Sequence, residues 1–299
     1  MNSKKWIKIY ISIGFMTIVL IGSFNYLIDP MWSFSHKFAL NQFQVGFNER
    51  QQKTNILQFR KTNTYNGVLL GSSGSSFINQ NDFVGMNVFN YSSAHMEAFE
   101  YIDYIEFFKK KQRTLDHIII SADFYNTNIP KIVGGPEPPE NYINNSIKFG
   151  YRFTSLLSKD VLRYSIANIK NYLMNDIIKH FYDRENIRYR PKVSEKVRIR
   201  THIPGVKSRT KSFTGEEYKY NHKYIPTLKA LKSNNPNINI IIFTSPISAD
   251  LLVSIIKNGD RLKEYRDWLY NLITVFGSIY HFMDINSITT NLENFADPD

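Results

Sequence analysis

The stretch VLLGSSGSSFINQ, residues 68–80, sets four serines and two glycines between apolar runs. A serine hydroxyl becomes an acyl-transfer nucleophile once a base activates it. Three readings compete. Gly/Ser runs serve as flexible linkers. Glycine-rich loops cradle phosphates, but that chemistry needs G-x-x-x-x-G-K-[ST], and no lysine occurs between Lys61 and Lys109. A dinucleotide loop fails as well, since Gly71 and Gly74 do not fit G-x-G-x-x-G. A linker would not be bracketed by Val68–Leu70 and Phe77-Ile78. A tight strand-to-helix turn remains. In it a serine is either a nucleophile, with outward backbone N–H groups able to hold an oxyanion, or a helix N-cap. The residues alone leave both open.

The elements around it read as alternating strands and helices. The apolar runs 67–71, 86–92, 117–125, 238–246 and 278–286 show little alternation, as in strands buried on both faces. Helical spacing is expected over Glu49–Arg60, His95–Lys111, Ser155–His180, Tyr218–Ser233 and Asp260–Phe276. This order predicts a parallel, doubly wound α/β sheet. Such sheets bind ligands beyond the carboxyl ends of their strands. Polar residues gather there: Gly71, Ser72, Ser73 and Gly74; Ser92 and Ser93; Ser121, Asp123 and Asn126; Ser245; and the closing stretch through Asp297. The gap 126–217 is expected as an insertion, with GGPEPPE at 134–140 and a basic run.

The chain begins with Lys4, Lys5 and Lys8, and Ile9–Ile28 carries no charge. Twenty residues of helix reach about 30 Å, a bilayer core. Positive residues before the span predict a cytoplasmic tip and a body outside. Residues 1–30 are thus expected as a single-pass signal anchor of the cytoplasmic membrane. Residues 31–299 are expected as one α/β domain, periplasmic or extracellular. Asp29-Pro30 should end the helix.

The 299 residues contain no cysteine, which excludes disulfides, thiolate metal sites and a cysteine nucleophile. No metal or cofactor motif is found. The net charge is +11, and residues 184–211 hold ten Lys/Arg against Glu185 and Glu195. Such a run suits a solvated surface or an anionic polymer. Nucleic acid is not expected, because the body should lie outside the cytoplasm and no recognition motif occurs.

Together these features resemble the SGNH hydrolase superfamily, and more closely the membrane-anchored SGNH-like proteins of bacterial surfaces near the alginate-type O-acetyltransferase proteins. The resemblance rests on YLIDP at 26–30, Gly71-Ser72-Ser73, NVFNYSSA at 87–94, IIISADFYN at 118–126 and FMDINSITTNLENFADPD at 282–299. It implies a flavodoxin-like three-layer αβα sheet of about five parallel strands, order 2-1-3-4-5. It also implies an acyl esterase or O-acyltransferase acting on cell-surface glycans. Ser73 would be the nucleophile, Asp297 the carboxylate orienting a histidine base, and Gly71, Ser72, Gly74, Ser92, Ser93, Asp123 and Asn126 the oxyanion and substrate groups. The family's Asp-x-x-His would put its histidine directly after Asp299, so a truncated C-terminus is expected, with little acyl-transfer activity for these residues alone. An anionic cell-surface polysaccharide and a membrane acyl-donor protein are the implied partners. The block-two glycine is absent, and a region with Asp123 and Asn126 replaces the block-three asparagine. Those departures favour the rival reading, a non-catalytic glycan-binding or envelope-assembly protein.

Overall fold

The computed structural model describes residues 3–45, 48–60, 64–129, 137–174 and 180–298. The chain divides into two compact units, Met1–Asn63 with Pro138–Pro191, and Thr64–Glu137 with Lys192–Asp299. The stretch 126–217 is therefore shared. Residues 138–191 belong to the N-terminal unit and 192–217 to the sheet unit. Residues 130–136, including the start of GGPEPPE, lie outside the described residues.

The sheet unit is α/β. Five parallel strands, β1 (Gly67–Leu70), β2 (Val88–Asn90), β3 (His117–Ser121), β4 (Asn239–Thr244) and β5 (Tyr280–His281), lie in the order β2-β1-β3-β4-β5. Leu69 pairs with Asn90 on one side and Ile119 on the other, and Ile119 pairs with Ile241. Val68–Leu70 and Ile118–Ile120 are fully buried, which is why their runs lack alternation. Helix Glu100–Lys111 buries Tyr101, Tyr104, Ile105, Phe107 and Phe108. Acids in its first turn and lysines in its last match the helix dipole. It starts at Glu100, five residues later than the spacing suggests, because His95 adopts a positive φ of 54° that a helix cannot contain. Helix Tyr224–Ser233 likewise starts late, since Lys219 and Tyr220 pair with Asn128 and Ile129 instead. Helix Ala249–Lys257, capped by Ser248, lies outside every stretch expected to be helical. Helix Leu262–Phe276 ends at Gly277, φ 86°.

The N-terminal unit starts with helix Ser3–Ile28, long and apolar enough to cross a membrane. Asp29 leaves the helix at φ 44°. Its carboxylate accepts from the Ser33 and Phe34 N–H groups at 2.8 and 3.1 Å and from Arg184 at 2.8 Å. Burial raises the Asp29 pKa, and the Arg184 charge opposes that shift. Arg184 also donates to the carbonyls of Asp29 and Phe34. So Asp29-Pro30 is more than a stop signal. It is one half of a buried staple across 155 residues.

Helix Glu49–Phe59 is unusual for its sequence. Glu49, Arg50, Gln51, Gln52, Lys53, Thr54 and Asn55 are all buried. Each needs internal partners. Gln51 donates to Asn55, Ser146 and the Tyr142 carbonyl, while Asn55 donates to the Met31 carbonyl at 2.8 Å. Glu49 pairs with Arg188 at 2.9 Å and accepts from the Tyr182 hydroxyl at 2.7 Å. The Lys53 ammonium lies 5.1 Å from the Tyr182 ring centre, and burial lowers its pKa to about 7. Two members of the basic run, Arg184 and Arg188, are thus interior groups and not a solvated face. Arg190 and Lys192 precede helix Glu195–Lys211, which holds the other six, with Lys196, Arg200, Lys207 and Lys211 exposed.

Candidate active site

β1 is a central strand, and its carboxyl end runs into Gly71. A Cβ there would collide with the Ser75 hydroxyl and stand 2.6 Å from the Ser121 Cβ, so glycine lets the turn press against β3. Gly74 has ordinary space, since a Cβ there would stand 3.8 Å from the Ser245 hydroxyl. The turn is pinned from within. Ser75 and Ser76 hydroxyls donate to the carbonyls of Ser72 and Ser73 at 3.0 and 2.6 Å. Both serines are buried, which ends the linker reading.

The turn does not open an α-helix, in contrast to the sequence expectation. It leads into single 3₁₀ turns at Ser75–Phe77 and Gln80–Asp82. Asn90 explains the change by donating to the carbonyls of Ser75 and Ile78 at 3.0 and 2.9 Å. Asn79 accepts from the Asn81 N–H at 3.0 Å. Side chains thus take backbone groups that a helix would use. A three-residue turn has almost no macrodipole, so the helix-terminus argument for an oxyanion site falls away here.

The predicted residues separate into two kinds. Ser73 is exposed, and its hydroxyl makes no hydrogen bond among the described residues. Its neighbour is tied down: the Ser72 hydroxyl donates to Asp123 at 2.6 Å. Asp123 also accepts from Ser121 at 3.2 Å, and Ser121 meets the Ser245 hydroxyl at 2.6 Å. Desolvation raises the Asp123 pKa, while the hydroxyls of Ser72, Ser245 and Ser121 and the Ser72 N–H pull it back. This cluster joins the carboxyl ends of β1, β3 and β4.

Ser92 and Ser93 follow β2 and are fully buried. Their N–H groups donate to the Asn90 side chain at 3.0 Å and the Gly71 carbonyl at 3.1 Å, so they hold the loop and are not open oxyanion donors. The Ser93 hydroxyl, by contrast, has no hydrogen-bond partner among the described residues. Nor has the buried Asn126 side-chain amide on the loop after β3. Two buried, unpartnered polar groups therefore stand on the two loops that flank the serine turn.

Asp297 is half-buried beside Arg209, at 3.7 Å. The next residue ties the closing segment to the loop after β4, where the Ser248 N–H donates to the Pro298 carbonyl at 2.8 Å. Asp297 thus lies one residue from a contact with the loop that follows β4. Asp299 lies outside the described residues. His281 is engaged at both ring nitrogens, with Thr244 at 3.0 Å and Tyr265 at 3.1 Å, and burial lowers its pKa. Sequence reading missed one histidine–carboxylate pair. His202 Nε2 lies 3.0 Å from Asp250 Oδ2, joining helices Glu195–Lys211 and Ala249–Lys257. No motif links residues 48 apart. Among the described residues, no three His, Cys, Asp or Glu gather as a metal site.

Against known proteins, no family model, no curated protein and no solved structure matches this chain.

Proposed function

We propose that the protein is a membrane-anchored acyl esterase or O-acyltransferase with Ser73 as nucleophile, acting on cell-surface glycans. One observation carries the reading. Ser73 is a free, exposed hydroxyl on a glycine-tight turn at the carboxyl end of a central parallel strand, flanked by the unpartnered Ser93 hydroxyl and Asn126 amide. Those two groups suit a developing oxyanion or a substrate carbonyl. Ser72 and Asp123 hold the turn in place. Asp297, on the closing segment, would orient a histidine base. The SGNH-like resemblance and a flavodoxin-like, three-layer view of the sheet unit, with an insertion after β3, belong to this proposal. So do the body outside the cytoplasmic membrane, an anionic polysaccharide along helix Glu195–Lys211 and a membrane acyl-donor protein. The test is the acyl content of surface glycan in cells carrying Ser73→Ala. The reading expects the change seen on deleting the gene, and normal acylation would sink it.

A second reading has support of its own. The Ser92 and Ser93 N–H groups are engaged, and no described histidine is hydrogen-bonded to Ser73. A non-catalytic glycan-binding or envelope-assembly protein fits those facts. It predicts glycan binding unchanged by Ser73→Ala.

A further inference from the structure

Helix Ser3–Ile28 is not bare along its whole length. Within the same unit, Ser155–Leu157 and helix Lys159–Met174 pack against it. The Asn25 amide donates to the Leu156 carbonyl at 2.7 Å, and a Cβ on Gly22 would stand 3.7 Å from Leu157 Cδ2. Gly22 precedes Ile28 by six residues, about 9 Å along a helix axis, and Asn25 by about 4–5 Å. With the uncharged run Ile9–Ile28 across a bilayer, the residues beside Gly22 lie below the headgroups. Interfacial helices bury about 5–10 Å into that same zone. The Asn25 side-chain N–H2 is bonded there to protein, and its buried Oδ1 has no partner among the described residues.

The surface around these contacts has matching chemistry. Phe149 is fully exposed, and Phe153, Leu157, Ile166, Leu173 and Met174 are 51–74% exposed. Phe153 meets the Phe34 ring at 6.0 Å and Leu157 meets Gly22, yet more than half of each of these side chains is open to the surroundings. On helix Lys159–Met174, Lys159, Arg163, Ile166, Lys170 and Leu173 recur at three- and four-residue spacing on one exposed stripe. Val161, Ser165 and Asn168 are buried on the opposite side. Across residues 147–174, Lys148, Arg152, Lys159, Arg163 and Lys170 face a single acid, Asp160. Apolar side chains interleaved with cations fit acyl chains below anionic headgroups.

We propose that residues 147–174 lie in the lipid leaflet beside the end of helix Ser3–Ile28, so that the N-terminal unit is embedded as well as anchored, with anionic lipid as its partner. This rests on reading Ser3–Ile28 as a membrane span. The chain has no cysteine, so Phe153→Cys, Leu157→Cys and Leu173→Cys each accept one nitroxide. The full chain is reconstituted in vesicles of phosphatidylcholine and phosphatidylglycerol, and depth is read from collisions with oxygen and a water-soluble nickel chelate. Phe15→Cys, on the apolar helix, reports the span itself. The proposal expects Phe15→Cys in the acyl core and the other three about 5–10 Å below the phosphates. Aqueous readings at all three beside a buried Phe15→Cys overturn the proposal and leave the anchor standing. An aqueous Phe15→Cys overturns the anchor and the proposal with it. Dipolar broadening at Phe153→Cys, Leu157→Cys or Leu173→Cys that fades on dilution with unlabelled chain assigns the face to a second copy and also overturns it.

Discussion

Replacing Lys53 by methionine keeps the aliphatic stem and removes the ammonium. Burial lowers the Lys53 pKa from 10.5 to about 7, with Glu49 raising it and Arg188 and Arg50 lowering it further. Each unit of difference from an unfolded lysine corresponds to about 1.4 kcal/mol, so the displaced lysine costs the folded state about 3–5 kcal/mol at neutral pH. The sign of the pH dependence follows. Below about pH 7 both states hold the proton, and this group adds no slope. Between pH 7 and 10 the unfolded chain binds the proton and the folded chain does not, so stability rises with pH by up to about 1.4 kcal/mol per unit. Tyr151, pushed up to about 12, and the raised Tyr224 and Tyr265 reverse the trend at higher pH, because unfolded tyrosines ionise first. The assay is urea unfolding of the full chain in detergent from pH 6 to 10. Trp32, buried in the N-terminal unit, is the fluorescent reporter in a Trp6→Phe, Trp268→Phe background. Lys53→Met should flatten the rise between pH 7 and 10, and the two proteins should converge near pH 10. Equal slopes in both would refute a neutral buried lysine.

Gly71→Ala should destabilise the sheet unit by about 1–3 kcal/mol, because the new methyl meets Ser75 and Ser121, whereas Gly74→Ala should be nearly neutral; thermal melts compare the two. Arg184→Ala leaves Asp29 buried without its cation and should cost about 3–5 kcal/mol, read from the unfolding of the N-terminal unit. The raised Asp123 pKa means that the folded state binds more protons just above the ordinary carboxylate value. Stability should fall as pH rises through that window, and Asp123→Asn should remove the fall in an acid-range unfolding series.

The parallel sheet was legible because β1, β3 and β4 are uninterrupted apolar runs, and that pattern has few other meanings. The ends of elements were less so. His95 and Lys219–Tyr220 look helical by spacing, but a left-handed turn and a pairing with Asn128–Ile129 removed them from their helices. The helix at Glu49 was legible as a helix but not as a buried one, since nothing local reveals that Arg188, Tyr182 and Ser146 come from more than 90 residues away to bond it. Separation along the chain also hid the Asp29–Arg184 staple, 155 residues apart, and the His202–Asp250 pair, 48 apart. In the candidate site, residue types at strand ends pointed to Gly71-Ser72-Ser73 and Asp123, and the SGNH-like resemblance singled out Ser73 among them. Their sorting into a free hydroxyl and a bonded cluster needed the fold, because Ser72 and Ser73 are chemically alike and differ only in which one faces Asp123.

The most direct test is labelling of native membranes with a fluorophosphonate, followed by identification of the modified peptide. Ser73 is expected to carry the phosphonate, and Ser73→Ala in the same membranes should lose it. An unlabelled native protein, or one labelled equally with Ser73→Ala, would contradict the assignment of Ser73 as a nucleophile.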